Sequence, residues 1–259
     1  MHKRVIQCTC TFNRHSYLKR ALGYFMQQDY PGKLVWFIYN TGKYPVVIDE
    51  SVLADLPSNR QIVIFNNQMD LETAKSYTNV GSKYRDALQI INNTLEYDLI
   101  DFLDDDDGAM PNHITEGVRG LERALESNLK AYKPYYSFFR QLDTISLQHN
   151  NFEGSIFMLK EHICTTGFTE AAVSYHNGWL HPLYEKKEIL IDRSGPSTFI
   201  YDWNQDIPVF KLSGGGDTQG NFYNSQNNNT DYNLESLIPA DITHIYSQVY
   251  SFMPELTYN

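Results

Sequence analysis

Cysteine is scarce in this chain, with three in 259 residues, too few and an odd number for a disulfide framework. No run approaches the roughly 18 apolar residues that a membrane-spanning helix needs. The opening "MHKRVIQCTCTF" has basic residues but no apolar stretch behind them, so it does not read as a secretory signal. A reducing, cytoplasmic location is therefore the expectation. Positive charge is also short. Lysine and arginine number 21 against 31 acidic residues, for a net charge of −10. That excludes a large non-specific nucleic-acid footprint and leaves room only for a local basic groove, to which Lys160, Lys186, Lys187 and Arg193 could contribute. Glycine is missing from "TCTFNRHSY", just after the first apolar segment. Phosphate cradles of the glycine-rich type, as in nucleotidyl transfer, need it there. Aromatic residues, by contrast, are plentiful at 14%, with 19 tyrosines. They suit a core first and a sugar- or base-stacking cleft second.

Apolar periodicity alternates between two kinds of segment. "RVIQCTCTF", "LVWFIYN", "RQIVIFNN" and "YDLIDFL" are short and β-branched or aromatic, as buried strands are. Cys8 and Cys10, two apart, share one strand face as small core residues. Between the strands, "RHSYLKRALGYFMQQDY" sets Leu18, Ala21, Leu22, Phe25 and Met26 on one helical face, and "DYPGK" ends it. "SKYRDALQIINNTL" and "PNHITEGVRGLERALESN" carry similar stripes, the second with a proline near its start. This order predicts an α/β fold, a mostly parallel sheet flanked by helices. The second half is less regular. "KPYYSFFRQL", "GSIFMLK" and "FIYDWNQDIPVFKL" look like strands, and "SGGGDTQGNFYNSQNNNTDYN" has the composition of a mobile lid or an unstructured loop. One domain is expected over 1–259, with a ligand-binding half at 1–130, a second half at 131–259 and the mobile loop near 213–232.

Four consecutive aspartates, Asp104 to Asp107, follow the fourth strand. Like charges repel, and a solvated turn does not need four of them. Ligands of parallel sheets bind outside the carboxyl ends of the strands, where these residues fall. Carboxylates one residue apart at such an end can face one hard divalent cation, Mg²⁺ or Mn²⁺, which favours oxygen ligands together with substrate phosphates.

With these motifs in place, the chain resembles the family-2 glycosyltransferases of GT-A fold over residues 5–170. "CTFNRHSYLKRALGYFMQQDYP" is similar to the family's opening strand and helix. "NVGSKYRDALQIINNTLEYDLIDFLDDDDGAMPNHI" resembles its arginine helix leading into F-L-D-x-D-D-x-x-x-P. "GSIFMLKEHICTTGFTE" resembles the stretch ending G-G-F-D-E, and "LVWFIYNTG" stands in place of V-D-D-G-S. The resemblance implies metal-dependent transfer of a sugar from a nucleoside-diphosphate sugar, UDP-sugar first, to a hydroxyl acceptor. Asp104 and Asp106 match the metal motif, with Asp106 the direct ligand, and Asp107 the next acidic position. Thr11 and Phe12 fall where the first loop meets the nucleotide. Arg85 matches an arginine near the diphosphate, although a surface helix charge reads equally well. His244 could complete the metal shell.

Two positions depart from the pattern. Asn40 replaces the aspartate that meets the base, and its amide can still donate and accept. His176 and Asn177 stand where inverting members carry E-D, whose aspartate is the base. Asparagine cannot take a proton, whereas histidine can. His176, Asp202, or no enzyme base at all, as in retaining enzymes, remain open, and a structural role for His176 remains beside them. Trp179 and Trp203 could stack on sugar rings or serve the core. The implied acceptor is a glycan, with a modified nucleobase of phage DNA as the other choice. An inactive GT-A-like module that binds nucleotide sugars or glycans is the alternative to an enzyme.

Overall fold

The computed structural model describes residues 2–12, 15–42, 44–68, 80–141, 144–150, 153–166 and 182–203. His176, Trp179, His244 and the 213–232 segment lie outside them. Eleven strands are described: β1 (Val5–Thr11), β2 (Leu34–Asn40), β3 (Arg60–Asn66), β4 (Leu99–Phe102), β5 (Gly108–Ala109), β6 (Ala131–Pro134), β7 (Tyr136–Gln141), β8 (Thr144–His149), β9 (Phe157–Leu159), β10 (Ile189–Asp192) and β11 (Phe199–Trp203). The helices are α1 (His15–Met26), α2 (Glu50–Ala54), α3 (Val80–Thr94), α4 (His113–Glu126) and α5 (Lys160–Thr166). None of them is long and apolar enough to cross a membrane.

Seven strands form the main sheet in the order β10-β6-β9-β4-β1-β2-β3. β1 pairs in parallel with β2 and β4, β2 with β3, and β6 with β10, while β9 runs antiparallel between β4 and β6. The mostly parallel sheet expected from the sequence is thus present. Its central strands are buried on both sides because helices cover both faces. Leu18, Ala21 and Phe25 of α1 and Ile114, Val118 and Leu121 of α4 pack with Val5, Trp36, Ile38 and Leu99 on one face. Tyr84, Ala87, Leu88 and Ile91 of α3 pack with Ile6, Cys8, Phe37, Ile100 and Phe102 on the other.

α4 lies unusually close to the sheet. A Cβ on Gly117 would fall 2.1 Å from the Phe157 ring, and one on Gly120 2.3 Å from the Tyr132 ring. The helix ends with Asn128 at φ 57°. The N–H groups of Asn128 and Leu129 bond back to the carbonyls of Leu125 and Ala124, a Schellman closure.

"KPYYSFFRQL", expected as one strand, is divided. β6 ends at Pro134, and after Tyr135 the chain enters a second sheet of order β5-β11-β7-β8. β11 pairs in parallel with β7 and antiparallel with β5, the two residues that follow the acidic turn. The second sheet is thereby joined to the carboxyl end of β4.

Candidate active site

Polar side chains on one face of β1 hold the tail of β4 in line. The backbone register pairs Gln7 with Asp101. Gln7 Nε2 donates to Asp101 Oδ2 at 3.0 Å, Thr9 Oγ1 to the Leu103 carbonyl at 2.8 Å, and Thr11 Oγ1 to Asp105 Oδ2 at 2.7 Å. The Trp36 indole N–H in turn donates to Thr9 Oγ1 at 2.9 Å. The Thr9 and Thr11 rungs extend the strand pairing beyond the last backbone pair, Cys8 with Phe102. They deliver residues 104–107 to the carboxyl edge of the sheet as a turn closed by Asp107 N–H to the Asp104 carbonyl at 3.2 Å.

Within that turn the four aspartates divide. Asp105 is buried and tied to Thr11. Asp104, Asp106 and Asp107 each offer a carboxylate oxygen, and these oxygens lie within 4.8 Å of one another. Two ligands on one Mg²⁺-sized ion at about 2.1 Å are at most about 4.2 Å apart, so a small closing movement suffices, and the donor set is the all-oxygen type that hard cations take. Asp106 and Asp107 are buried, and carboxylates removed from water require a compensating partner. The three residues therefore fit a divalent cation.

Other side chains surround the turn. The Tyr84 hydroxyl, on α3, donates to Asp104 Oδ1, and its ring stands edge-on to Phe102 at 5.2 Å. Arg20, on α1, donates from Nη2 to the Asp106 carbonyl at 2.6 Å and from Nη1 to Asp202 Oδ2 at 2.5 Å. Arg140 Nη1 reaches the same Asp202 oxygen at 3.0 Å, and the Asp202 N–H donates to Asp107 Oδ1 at 3.2 Å. Asp202 thus belongs to the neighbourhood of the acidic turn, fully buried and ion-paired. The sequence suggested no site role for Arg20, Arg140 or Tyr84, the last standing only on the apolar stripe of its helix. The one available signal was Arg20's position, three residues after Tyr17 and four before Tyr24 on a buried helical stripe.

Thr11 is buried, with its hydroxyl engaged by Asp105 and its carbonyl accepting the Thr41 N–H at 3.1 Å. Phe12 is half-buried, with the Lys83 ammonium 5.1 Å from its ring centroid. Arg85 is half-buried on α3 and lies 3.7 Å from Asp86. Asn40 is fully buried, and its amide is engaged within the protein. Nδ2 donates to the Tyr44 carbonyl and to Asn66 Oδ1, both at 2.8 Å, and Oδ1 accepts from the Gly42 N–H at 2.9 Å. Asn66 also holds both backbone groups of Val46. Asn40 therefore fixes the path of the chain after β2.

Cys10 shares the α3-facing side of β1 with Cys8. Burial, together with the Cys8 thiol, pushes its pKa well above the usual thiol range. It stays protonated at neutral pH and is a poor nucleophile.

No family model and no curated protein matches this sequence. Similarity is found among solved structures. TarS of S. aureus superposes with a TM-score of 0.51 at 8% identity, over 77% of this chain and 36% of TarS. Its 1–349 fragment bound to UDP-GlcNAc gives 0.52 at 10% identity, over 79% of this chain and 60% of the fragment. The same fragment bound to UDP gives 0.51 at 11% identity over 77% of this chain. This chain accordingly spans 36% to 60% of the length of the structures it matches. What they share with it is the fold, the GT-A arrangement of glycosyltransferases.

Proposed function

With the GT-A fold as premise, we propose that this chain is a metal-dependent glycosyltransferase. It moves a sugar from a nucleoside-diphosphate sugar to a hydroxyl acceptor. The observation that carries the reading is the mutual approach of Asp104, Asp106 and Asp107, largely buried, at the carboxyl end of β4. These three would hold Mn²⁺ or Mg²⁺, which when bound supplies Lewis-acid neutralisation of the departing diphosphate. Tyr84 orients Asp104 by its hydrogen bond, and Arg20 fixes the backbone at Asp106. Arg20 and Arg140 meet at Asp202 beside the acidic turn.

The nucleoside belongs over β1 and β2, beside Phe12 and the loop that Asn40 shapes, with Thr11 holding that floor. Arg85 and Lys83, both on α3 with Tyr84, are our candidates to serve the diphosphate. TarS binds UDP-GlcNAc, and a UDP-sugar is our first choice of donor here. The acceptor is expected on the side of the second sheet, a glycan before a modified nucleobase. His176 is our candidate for the base, and His244 for a further metal ligand. The halves at 1–130 and 131–259 are assigned to donor and acceptor, and a cytoplasmic location goes with a nucleotide-sugar donor.

Asp106→Asn tests the reading. Donor turnover, followed as UDP release, is expected to fall at least about 100-fold, with Mn²⁺-dependent donor binding lost. Wild-type turnover in this variant would end the proposal. Donor binding with no transfer or hydrolysis in the wild-type chain would favour the inactive-module alternative instead.

A further inference from the structure

Asp202 is too enclosed to meet an acceptor. Its side chain has no exposed surface, and the two arginines on Oδ2 are themselves 5% and 11% exposed. A general base must come within hydrogen-bond reach of the hydroxyl it deprotonates. What Asp202 does reach is the acidic turn. Ile200 pairs with Gly108 and Phe199 with Ala109 in antiparallel register. Continued past the last pair, that register sets Asp202 opposite Asp106. Arg20 spans this position as a fork, one nitrogen on the Asp106 carbonyl and the other on Asp202. Arg140, the register partner of Asp202 on β7, closes the group from the second sheet.

Resting on the metal-site reading above, we propose that Arg20, Asp202 and Arg140 form an ionic clamp. The clamp holds the acidic turn in a cation-ready shape against its own repulsion and ties it to the second sheet. Asp202 is then a positioning residue. A guanidinium suits the task because its planar fork binds two acceptors at once, which an ammonium cannot do in the same geometry. Outer-shell partners of metal ligands typically change metal affinity by about 10- to 100-fold when removed.

The test is titration of the full chain with Mn²⁺ alone, by calorimetry or Mn²⁺ spin resonance, alongside donor kinetics. Asp202→Asn and Arg20→Lys are each expected to raise the Mn²⁺ Kd about 10-fold, with turnover largely recovered at saturating Mn²⁺. Wild-type Mn²⁺ affinity in Asp202→Asn, with kcat lost even at saturating Mn²⁺, would overturn the clamp and make Asp202 the base. If Asp202→Asn does not fold, Arg20→Lys decides, and unchanged Mn²⁺ affinity there overturns the proposal. Asp106→Asn separates the two readings. If it binds Mn²⁺ as tightly as wild type, the metal site itself is wrong and the clamp falls with it. If it loses Mn²⁺ while Asp202→Asn and Arg20→Lys keep it, only the clamp fails.

Discussion

Lys187 follows the short helical turn 182–185 with φ 56°. Its own N–H and that of Glu188 return to the carbonyls of Tyr184 and Leu183. This closure needs the left-handed conformation, which a residue with a Cβ enters at a cost of about 1 kcal/mol or more. Glycine enters it freely but carries more entropy in the unfolded chain. Lys187→Gly is therefore expected to stabilise by about 0.5 kcal/mol net, read as a higher urea midpoint. A lower midpoint would mean that the lysine side chain contributes more than its backbone strain. At this scale the sequence was informative about type and poor about direction. Asp104 and Asp106 could be picked out because a buried strand points at them. Nothing in four identical residues says that Asp105 turns back to Thr11 while Asp107 joins Asp104 and Asp106. Asn40 could be named as a polar residue at the end of β2, but its engagement depends on Asn66, 26 residues later. Arg20 and Asp202 meet across 182 positions, a separation that local spacing cannot reveal.

Among the elements, α4 depends on two missing side chains. Gly117 and Gly120 let its backbone approach Phe157 and Tyr132, both buried in the sheet. Gly117→Ala puts a methyl group 2.1 Å from a ring with little room to withdraw. The gain in helix propensity from the change is outweighed by overpacking, and a net loss of about 1–3 kcal/mol is expected in chemical unfolding. Stability equal to wild type would show that α4 can lift off the sheet without loss. Strands β1 to β4 and the three long helices of the first 130 residues were legible because each carries a clean period or an unbroken apolar run. The rest was not. The switch at Tyr135 is marked only by Pro134, since aromatic residues continue through it and no glycine intervenes. β5 has two residues and β10 four, too few to show a period. β8, "TISLQH", alternates but offers only two apolar residues, and α5 follows β9 without a break.

For the molecule as a whole, the proposed ligands should act on folding by mass action. A UDP-sugar with Mn²⁺ at about 100 times its Kd contributes about 2.7 kcal/mol. In a chain of this size that is roughly 5–10 °C in Tm. GDP-, dTDP- and CDP-sugars are expected to shift it less. No shift with any nucleotide sugar would count against the donor site, independently of whether an acceptor is known. The fold was reached from the sequence although the TarS structures it resembles are only 8–11% identical. Burial pattern and strand-end chemistry persist where individual residues do not.

The passage of one continuous segment from β6 into β7 has a mechanical consequence. Only Tyr135 separates the two strands, and its N–H is fastened to the Asp192 carbonyl on the neighbouring edge strand. β5 and β11 form a second seam right after the acidic turn. Two sheets stitched at two places resist swinging apart like hinged jaws, so the proposed donor and acceptor sides are expected to keep their spacing when a ligand binds.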